Sequence, residues 1–182
     1  IAAESAFADT PDARRLERAL HIASFKSARY SVQQPLLIGA AIAGANEIQI
    51  AALRDFGHDV GVAFQLRDDV LGVLGRPEIT GKPAGDDLRE GKRTALIALT
   101  LQELPAASAR TVEELLGDPQ LTEEQVSVLQ ETIRASGALE RIEELIGDYS
   151  RRADRALVGA PLAHSAVGAL RDLARRSVER AA

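Results

Sequence analysis

The sequence predicts an all-α protein, and three observations carry that expectation. Apolar residues recur at helical spacing along nearly the whole chain, and no segment reads as a strand of useful length. Alanine is abundant, whereas aromatic residues make up only 3% of the chain. At 182 residues and 46% hydrophobic, the chain has enough apolar surface for one sizeable core, so a single all-α domain over residues 1–182 is expected.

Each element has its own signal. Thr10 and Pro11 in TPDARRLERAL stand in the cap-then-proline order of a helix start. PLLIGAAIAGA, from Pro35 to Ala45, begins another helix, and an apolar-periodic segment runs from about Ile48 to Leu74. A glycine- and proline-rich loop, GRPEITGKPAGDDLREGK, follows it, and then a helix from Thr94 to about Leu104. Thr122 and Gln125 have capping-box spacing, with Leu121 and Val126 placed for the hydrophobic staple, and Gly137 stops that helix. Leu139, Ile142, Leu145, Ile146, Tyr149 and Leu157 give the next stripe, closed by Gly159 and Pro161. Val167, Leu170, Leu173 and Val178 mark a terminal helix whose Arg171, Arg175, Arg176 and Arg180 read as a solvated face. There is no internal repeat, low-complexity tract or linker.

Composition narrows the function classes. A net charge of −5 argues against nucleic acid or an anionic membrane as the main partner. The absence of cysteine removes disulfides and thiolate chemistry. The longest apolar run, PLLIGAAIAGA, is shorter than the roughly 20 residues that span a bilayer, and the acidic start IAAESAFADTPDARR does not read as a signal peptide, so a cytoplasmic protein is expected. The chain has no methionine, which predicts a piece of a longer protein. Of 22 basic residues only three are lysine: Lys26, Lys82 and Lys92. Where arginine has replaced lysine nearly everywhere, the three that remain point to places suited to a compact ammonium rather than a planar fork, such as phosphate.

GHDVGVAFQLRDDVLGVLG, from Gly57 to Gly75, is the most informative stretch. On a helix, Gly57, Gly61, Gln65, Asp68, Gly72 and Gly75 fall on one stripe, with Asp69 at its edge and apolar residues elsewhere. Each glycine weakens a helix by roughly 1 kcal/mol relative to alanine, so four on one stripe read as space kept open, the alternative being close packing. The acids of this face and the lysines of the glycine-rich loop together suggest a magnesium–diphosphate site, because Mg²⁺ takes one or two carboxylates with phosphate oxygens and waters. A P-loop is excluded by the spacing from Gly75 to Gly81 and by Pro83 after the lysine. His21, His58 and His164 lack metal-ligand spacing and read as ordinary helix residues.

These motifs resemble the C-terminal part of a trans-type polyprenyl diphosphate synthase, the family of farnesyl, geranylgeranyl and longer-chain synthases. FQLRDDVLG resembles the second aspartate-rich motif, TGKPAGDDLREGKRT the loop after it, FKSARY the upstream Lys-Thr element, and QQPLLIGAAIAGA the helix that follows. The resemblance implies a helical bundle around a central cavity, with head-to-tail condensation of isopentenyl diphosphate with an allylic diphosphate and geranylgeranyl diphosphate as the favoured product. It implies Mg²⁺ on Asp68, supported by Asp69, with Lys26 and Lys92 holding the allylic diphosphate and Lys82 close to the same leaving group. Ser27 stands where the family has threonine, and Phe64 and Gln65 line the pocket for the homoallylic substrate. A homodimer is the family expectation.

Two departures follow. Gly72 replaces the third aspartate of the motif, leaving the metal to Asp68, Asp69 and water, or to the loop acids Asp86 and Asp87. The first aspartate-rich motif and the basic pair for isopentenyl diphosphate belong upstream of Ile1. Three rivals are weighed: a class I terpene cyclase, whose second motif DDVLGVLG does not match; a non-catalytic partner subunit of a heteromeric synthase, favoured by Gly72; and a structural helical protein, disfavoured by the three lysines.

Overall fold

The computed structural model describes residues 12–77, 81, 83 and 85–179, and no strand occurs among them. Helix α1 (Asp12–Ala23) runs into a π-helical stretch, Ser24–Gln33, and on into α2 (Gln34–Ile42). Then come α3 (Glu47–Leu74), a single turn α4 (Asp86–Arg89), α5 (Ala95–Glu103), α6 (Ala106–Leu115), α7 (Glu123–Ala135), α8 (Ala138–Leu157) and α9 (His164–Val178). The all-α expectation holds. Among the described residues no helix is long and apolar enough to cross a membrane. The expected cap Thr10 and Pro11 lie outside the described residues.

Local chemistry sets most of the helix ends. The Thr94 hydroxyl accepts from the Ile97 N–H and opens α5. Thr122 and Gln125 form the capping box of α7, each side chain accepting from the other's backbone N–H, and Leu121 and Val126 are both buried beside it. Gly137 and Gly159 adopt positive φ just past the ends of α7 and α8, a conformation that favours glycine. Pro35 stands in the first turn of α2, as expected of a helix start, where the hydrogen-bond ladder passes from π to α with the Gln34 N–H donating to the Arg29 carbonyl.

The described residues group into two compact units: those up to Leu20 with those of Asp68–Glu143, and His21–Arg67 with those from Glu144 on. In the first, α5 is buried from Ala95 to Leu101, as expected of a helix that is apolar on every side. Val126, Leu129 and Ile133 of α7 are buried at helical spacing. In the second unit, Phe56 and Val60 of α3 pack with Ala153 and Leu157 of α8, and Val167, Leu170 and Ala174 of α9 close over them.

The glycine stripe of α3 is filled rather than open, which corrects the reading of it as reserved space. In the second unit a Cβ on Gly61 would stand 2.5 Å from the Cα of Ala28, and one on Gly57 would stand 3.0 Å from the Cα of Gln33. The π-helical stretch therefore lies against α3 backbone to backbone, at a separation that forbids a side chain at residue 61 and leaves it barely room at residue 57. A glycine row is a groove, and another helix occupies it.

Gly61→Ala should destabilise the protein by about 1–3 kcal/mol, since backbone must move to admit the methyl group. Gly39→Ala, in α2 with nothing within 4 Å of the new Cβ, should stabilise it by about 0.5–1 kcal/mol. Urea unfolding of both variants checks this, and equal effects at the two positions would contradict the packing role.

Candidate functional site

The residues expected to form the site are divided between the two units. Asp68, Asp69 and Lys92 belong to the first, Lys26, Ser27, Phe64 and Gln65 to the second, and Lys82 lies outside the described residues.

In the first unit, α3 presents Asp68 as an exposed carboxylate with no hydrogen bond or ion pair among the described residues. Asp69, its neighbour, is buried at 9% exposure. One turn beyond Asp68, about 6 Å along the helix, the face is taken over by another acid. A Cβ on Gly72 would stand 2.1 Å from Oδ2 of Asp87. Asp87 is itself buried, and its Oδ1 accepts from the Lys92 ammonium, which also reaches Glu90 at 2.9 Å.

The segment bearing Lys92 is tightly built. Gly85, at φ +68°, precedes α4, and a Cβ there would meet Val126 at 2.5 Å. The Lys92 N–H donates to the Asp87 carbonyl at 3.0 Å, and the Gly117 N–H donates to the Leu88 carbonyl at 2.9 Å. Gly91, at φ +69°, lies against Gly117, where a Cβ would come within 2.8 Å of backbone. The ammonium thus rises from a fixed frame. Burial by itself would lower the Lys92 pKa, but hydrogen bonds to Asp87 and Glu90 and their negative charge outweigh it and hold the value above that of ordinary lysine.

In the second unit, Lys26 is exposed on the π-helical stretch and makes no hydrogen bond or ion pair among the described residues. Ser27, one residue on, is buried and donates its hydroxyl to Oε1 of Gln65. Phe64 is half-buried beside it in sequence. The pairing of Ser27 with Gln65 joins two residues that the sequence singles out separately.

A second polar network was not foreseen. His58 bridges the Ser24 hydroxyl at 2.9 Å and Oδ1 of Asp59 at 3.0 Å, and Arg152 pairs with the same buried Asp59 at 3.1 Å. His58, Asp59 and Arg152, with Gln33 and Arg54, line an open cleft that contains none of the expected site residues. Histidine spacing alone carried no signal for it, because the partners come from Ser24 and from the distant α8.

Among the described residues no three acidic or histidine side chains gather as a metal cluster. The donor set still fits Mg²⁺ in the mode that uses one or two carboxylates and fills its remaining positions with phosphate oxygens and water. Asp68 meets that need with an open carboxylate.

Lys92→Met should cost about 1 kcal/mol of stability at neutral pH, the low end for an ion pair at a buried acid, because solvent screens an ammonium that is 33% exposed. A raised folded-state pKa stabilises fully below the unfolded value and fades as pH rises through the folded one. The difference between wild type and variant should therefore hold steady from about pH 7 to about pH 10.4 and shrink above that. Denaturant unfolding across this range measures it, and a neutral-pH stability equal to wild type would contradict the pairing.

Comparison with known proteins places the chain in a family. The family model described as polyprenyl synthetase matches residues 3–133. A geranylfarnesyl diphosphate synthase of Aeropyrum pernix is 38% identical over 124 residues, which cover 68% of this chain and 38% of that protein. A geranylgeranyl pyrophosphate synthase from Corynebacterium glutamicum, solved with isoprenyl diphosphate and magnesium, superposes with a TM-score of 0.87 at 44% identity, over 91% of this chain and 47% of that one. A polyprenyl synthase from Caulobacter crescentus, solved with calcium and isoprenyl diphosphate, gives 0.82 at 36% identity, over 91% of this chain and 50% of that one. This chain therefore spans about half, or less, of the length of the proteins it matches. With the family model covering most of its residues, the chain belongs to the polyprenyl synthetase family.

Proposed function

We propose that this chain carries the diphosphate-ionising side of a prenyl transfer site, in a protein that condenses isopentenyl diphosphate head-to-tail with an allylic diphosphate. The observation that supports this reading best is the Asp87 carboxylate lying against Gly72 with Lys92 paired to it. It sets a cation whose pKa is held above that of ordinary lysine beside the turn of α3 that follows an open carboxylate, Asp68. The relatives named as geranylgeranyl and geranylfarnesyl diphosphate synthases support the reaction class, and geranylgeranyl diphosphate is the product we favour.

The chemistry follows from those groups. Asp68, with Asp69 behind it, would hold Mg²⁺, and that ion, when bound, neutralises charge on the diphosphate. The Lys92 ammonium donates to diphosphate oxygens and stabilises the charge that builds as the allylic C–O bond breaks. Lys26 and Lys82 keep the diphosphate-binding roles that the resemblance assigns them. Pyrophosphate leaves with the electron pair, the double bond of isopentenyl diphosphate attacks the allylic cation, and a proton is lost to the pyrophosphate. Ser27 fixes the Gln65 amide by hydrogen bonding, so that Gln65 and Phe64 present a set wall to the homoallylic substrate.

The non-catalytic reading drew on Gly72, and the position of Asp87 weakens it, because the acid absent at residue 72 is replaced from residue 87. We further propose a homodimer in the cytoplasm. In support, Phe25, Tyr30, Ile38, Ile42 and Ile48 of the second unit are large apolar side chains left exposed.

Asp68→Asn in the full-length protein, with the segment upstream of Ile1 present, should lower the rate of prenyl transfer from farnesyl and isopentenyl diphosphates by at least about 100-fold, the scale of losing one electrostatic contact to the leaving group. Radiolabelled product formation measures the loss. Wild-type turnover in the variant would sink the role of Asp68, and no turnover by the unaltered full-length protein would sink the reaction itself.

A further inference from the structure

The second unit holds a cleft that the prenyl transfer reading leaves unused. It is lined from the π-helical stretch, α3 and α8, and it measures about 630 Å³. That volume falls within the roughly 300–1,000 Å³ of small-molecule pockets. The floor of the cleft is built. Asp59, at 5% exposure, accepts from the His58 Nδ1–H at 3.0 Å and from the Arg152 guanidinium at 3.1 Å, and His58 Nε2 is bonded to the Ser24 hydroxyl at 2.9 Å. Gln33, also buried, donates its amide N–H to the Arg54 carbonyl at 3.0 Å. The imidazole and one guanidinium are therefore held in place before any ligand arrives.

The walls carry charge without partners. Among the described residues, the side chains of Arg54 on α3 and Arg155 on α8 make no hydrogen bond or ion pair, and neither does that of Asp55. Elsewhere this acid-rich chain matches arginine to carboxylate, as in Arg15 with Glu113, Arg89 with Glu123 and Arg171 with Asp154. Two open guanidinium groups and a fixed third around one concavity suit a phosphate, whose oxygens match the guanidinium fork. Among the described residues that line the cleft, Ala156 alone is apolar, so the walls offer nothing to a prenyl chain.

We propose that this cleft binds a phosphate monoester with a hydroxyl-bearing body, of the sugar phosphate class, with Arg54, Arg152 and Arg155 on the phosphate and Asp55 accepting from ligand hydroxyls. The volume leaves room for more than the phosphate, and the polar lining selects a polar body. The carboxylates of Asp55 and Asp59 disfavour a more highly charged diphosphate. The proposal goes beyond the prenyl transfer reading and does not rest on it, since none of these residues is given a part in that reaction.

The test uses the full-length protein, with the segment upstream of Ile1 present, in magnesium-free buffer. Wild type is compared with the double variant Arg54→Gln/Arg155→Gln and with Arg171→Gln, whose arginine lies outside the cleft. Calorimetry with ribose 5-phosphate, inorganic phosphate and ribose gives affinities, and the imidazole NMR signals of the three histidines report where the probe sits. Ribose 5-phosphate should bind wild type one-to-one and more tightly than inorganic phosphate, and it should shift the His58 signal while those of His21 and His164 stay in place. Ribose alone should not bind. The double variant, melting as wild type does, should bind ribose 5-phosphate at least about tenfold more weakly, the scale of losing charge-assisted hydrogen bonds. Arg171→Gln should bind it as wild type does. Folded wild type that binds no ribose 5-phosphate, a double variant that binds it equally well, or an unmoved His58 signal would overturn the proposal. Inorganic phosphate bound as tightly as the ester would overturn the assigned ligand class. Failure of prenyl transfer in the same protein leaves each of these readouts decisive.

Discussion

The structure depends on what α3 leaves out. Along one stripe of this helix, Gly57 and Gly61 carry no side chain in the second unit, and Gly72 carries none in the first. Each gap is occupied, at Gly61 and Gly72 at a distance where a methyl group would force a neighbour to move and at Gly57 at the tight limit of contact. Three glycines lower the intrinsic stability of the helix by about 3 kcal/mol relative to alanine, so packing must return at least that much where they lie. The return differs with position. At Gly57 and Gly61 it is backbone against backbone, which draws the π-helical stretch onto α3 and brings Ser27 within reach of Gln65. At Gly72 it is a carboxylate, and a carboxylate brings charge.

That charge shapes the first unit's chemistry. A buried acid without a cation is costly, because its water is gone and nothing replaces it. Lys92 replaces it, and the left-handed glycines at 85 and 91, with the Gly117 N–H on the Leu88 carbonyl, hold the loop so that it can. The same pair keeps Lys92 protonated against its partial burial. On the proposed reading, stability and function draw on one contact here. The acid that needs a cation for the fold holds that cation in place, and preformed charge is what a departing diphosphate would require.

Much of this was readable from residue types and spacing. The Thr94 cap, the Thr122–Gln125 capping box and the glycine stops at 137 and 159 are local devices whose partners lie within a few residues, so spacing alone reveals them. The π-helical stretch was not readable, since apolar spacing does not separate an i→i+5 ladder from an i→i+4 one over ten residues. The candidate site was legible as chemistry but not as geometry. Two aspartates on a glycine face and three lysines among nineteen arginines suggest a magnesium–diphosphate site. A glycine, though, records only that something is absent, and open space and close contact leave the same mark in sequence. Asp87 was in view as a loop acid, yet its arrival at Gly72 needs a turn at Gly85 and a fold across fifteen residues. The cluster of Ser24, His58, Asp59 and Arg152 escaped notice because it joins α8 to residues far earlier in the chain.

The central claim is that the stripe of α3 is packed at its glycines and chemically open at Asp68, beside a lysine set in place by Asp87. A crystal structure of the full chain with pyrophosphate and Mn²⁺ in place of Mg²⁺, the metal located by its anomalous signal, tests this most directly. The account predicts a manganese peak on the Asp68 carboxylate, a pyrophosphate oxygen on the Lys92 ammonium, and Asp87 still covering Gly72. Metal and pyrophosphate bound away from Asp68, or a pyrophosphate group seated in the gap at Gly72 with Asp87 displaced, would contradict it.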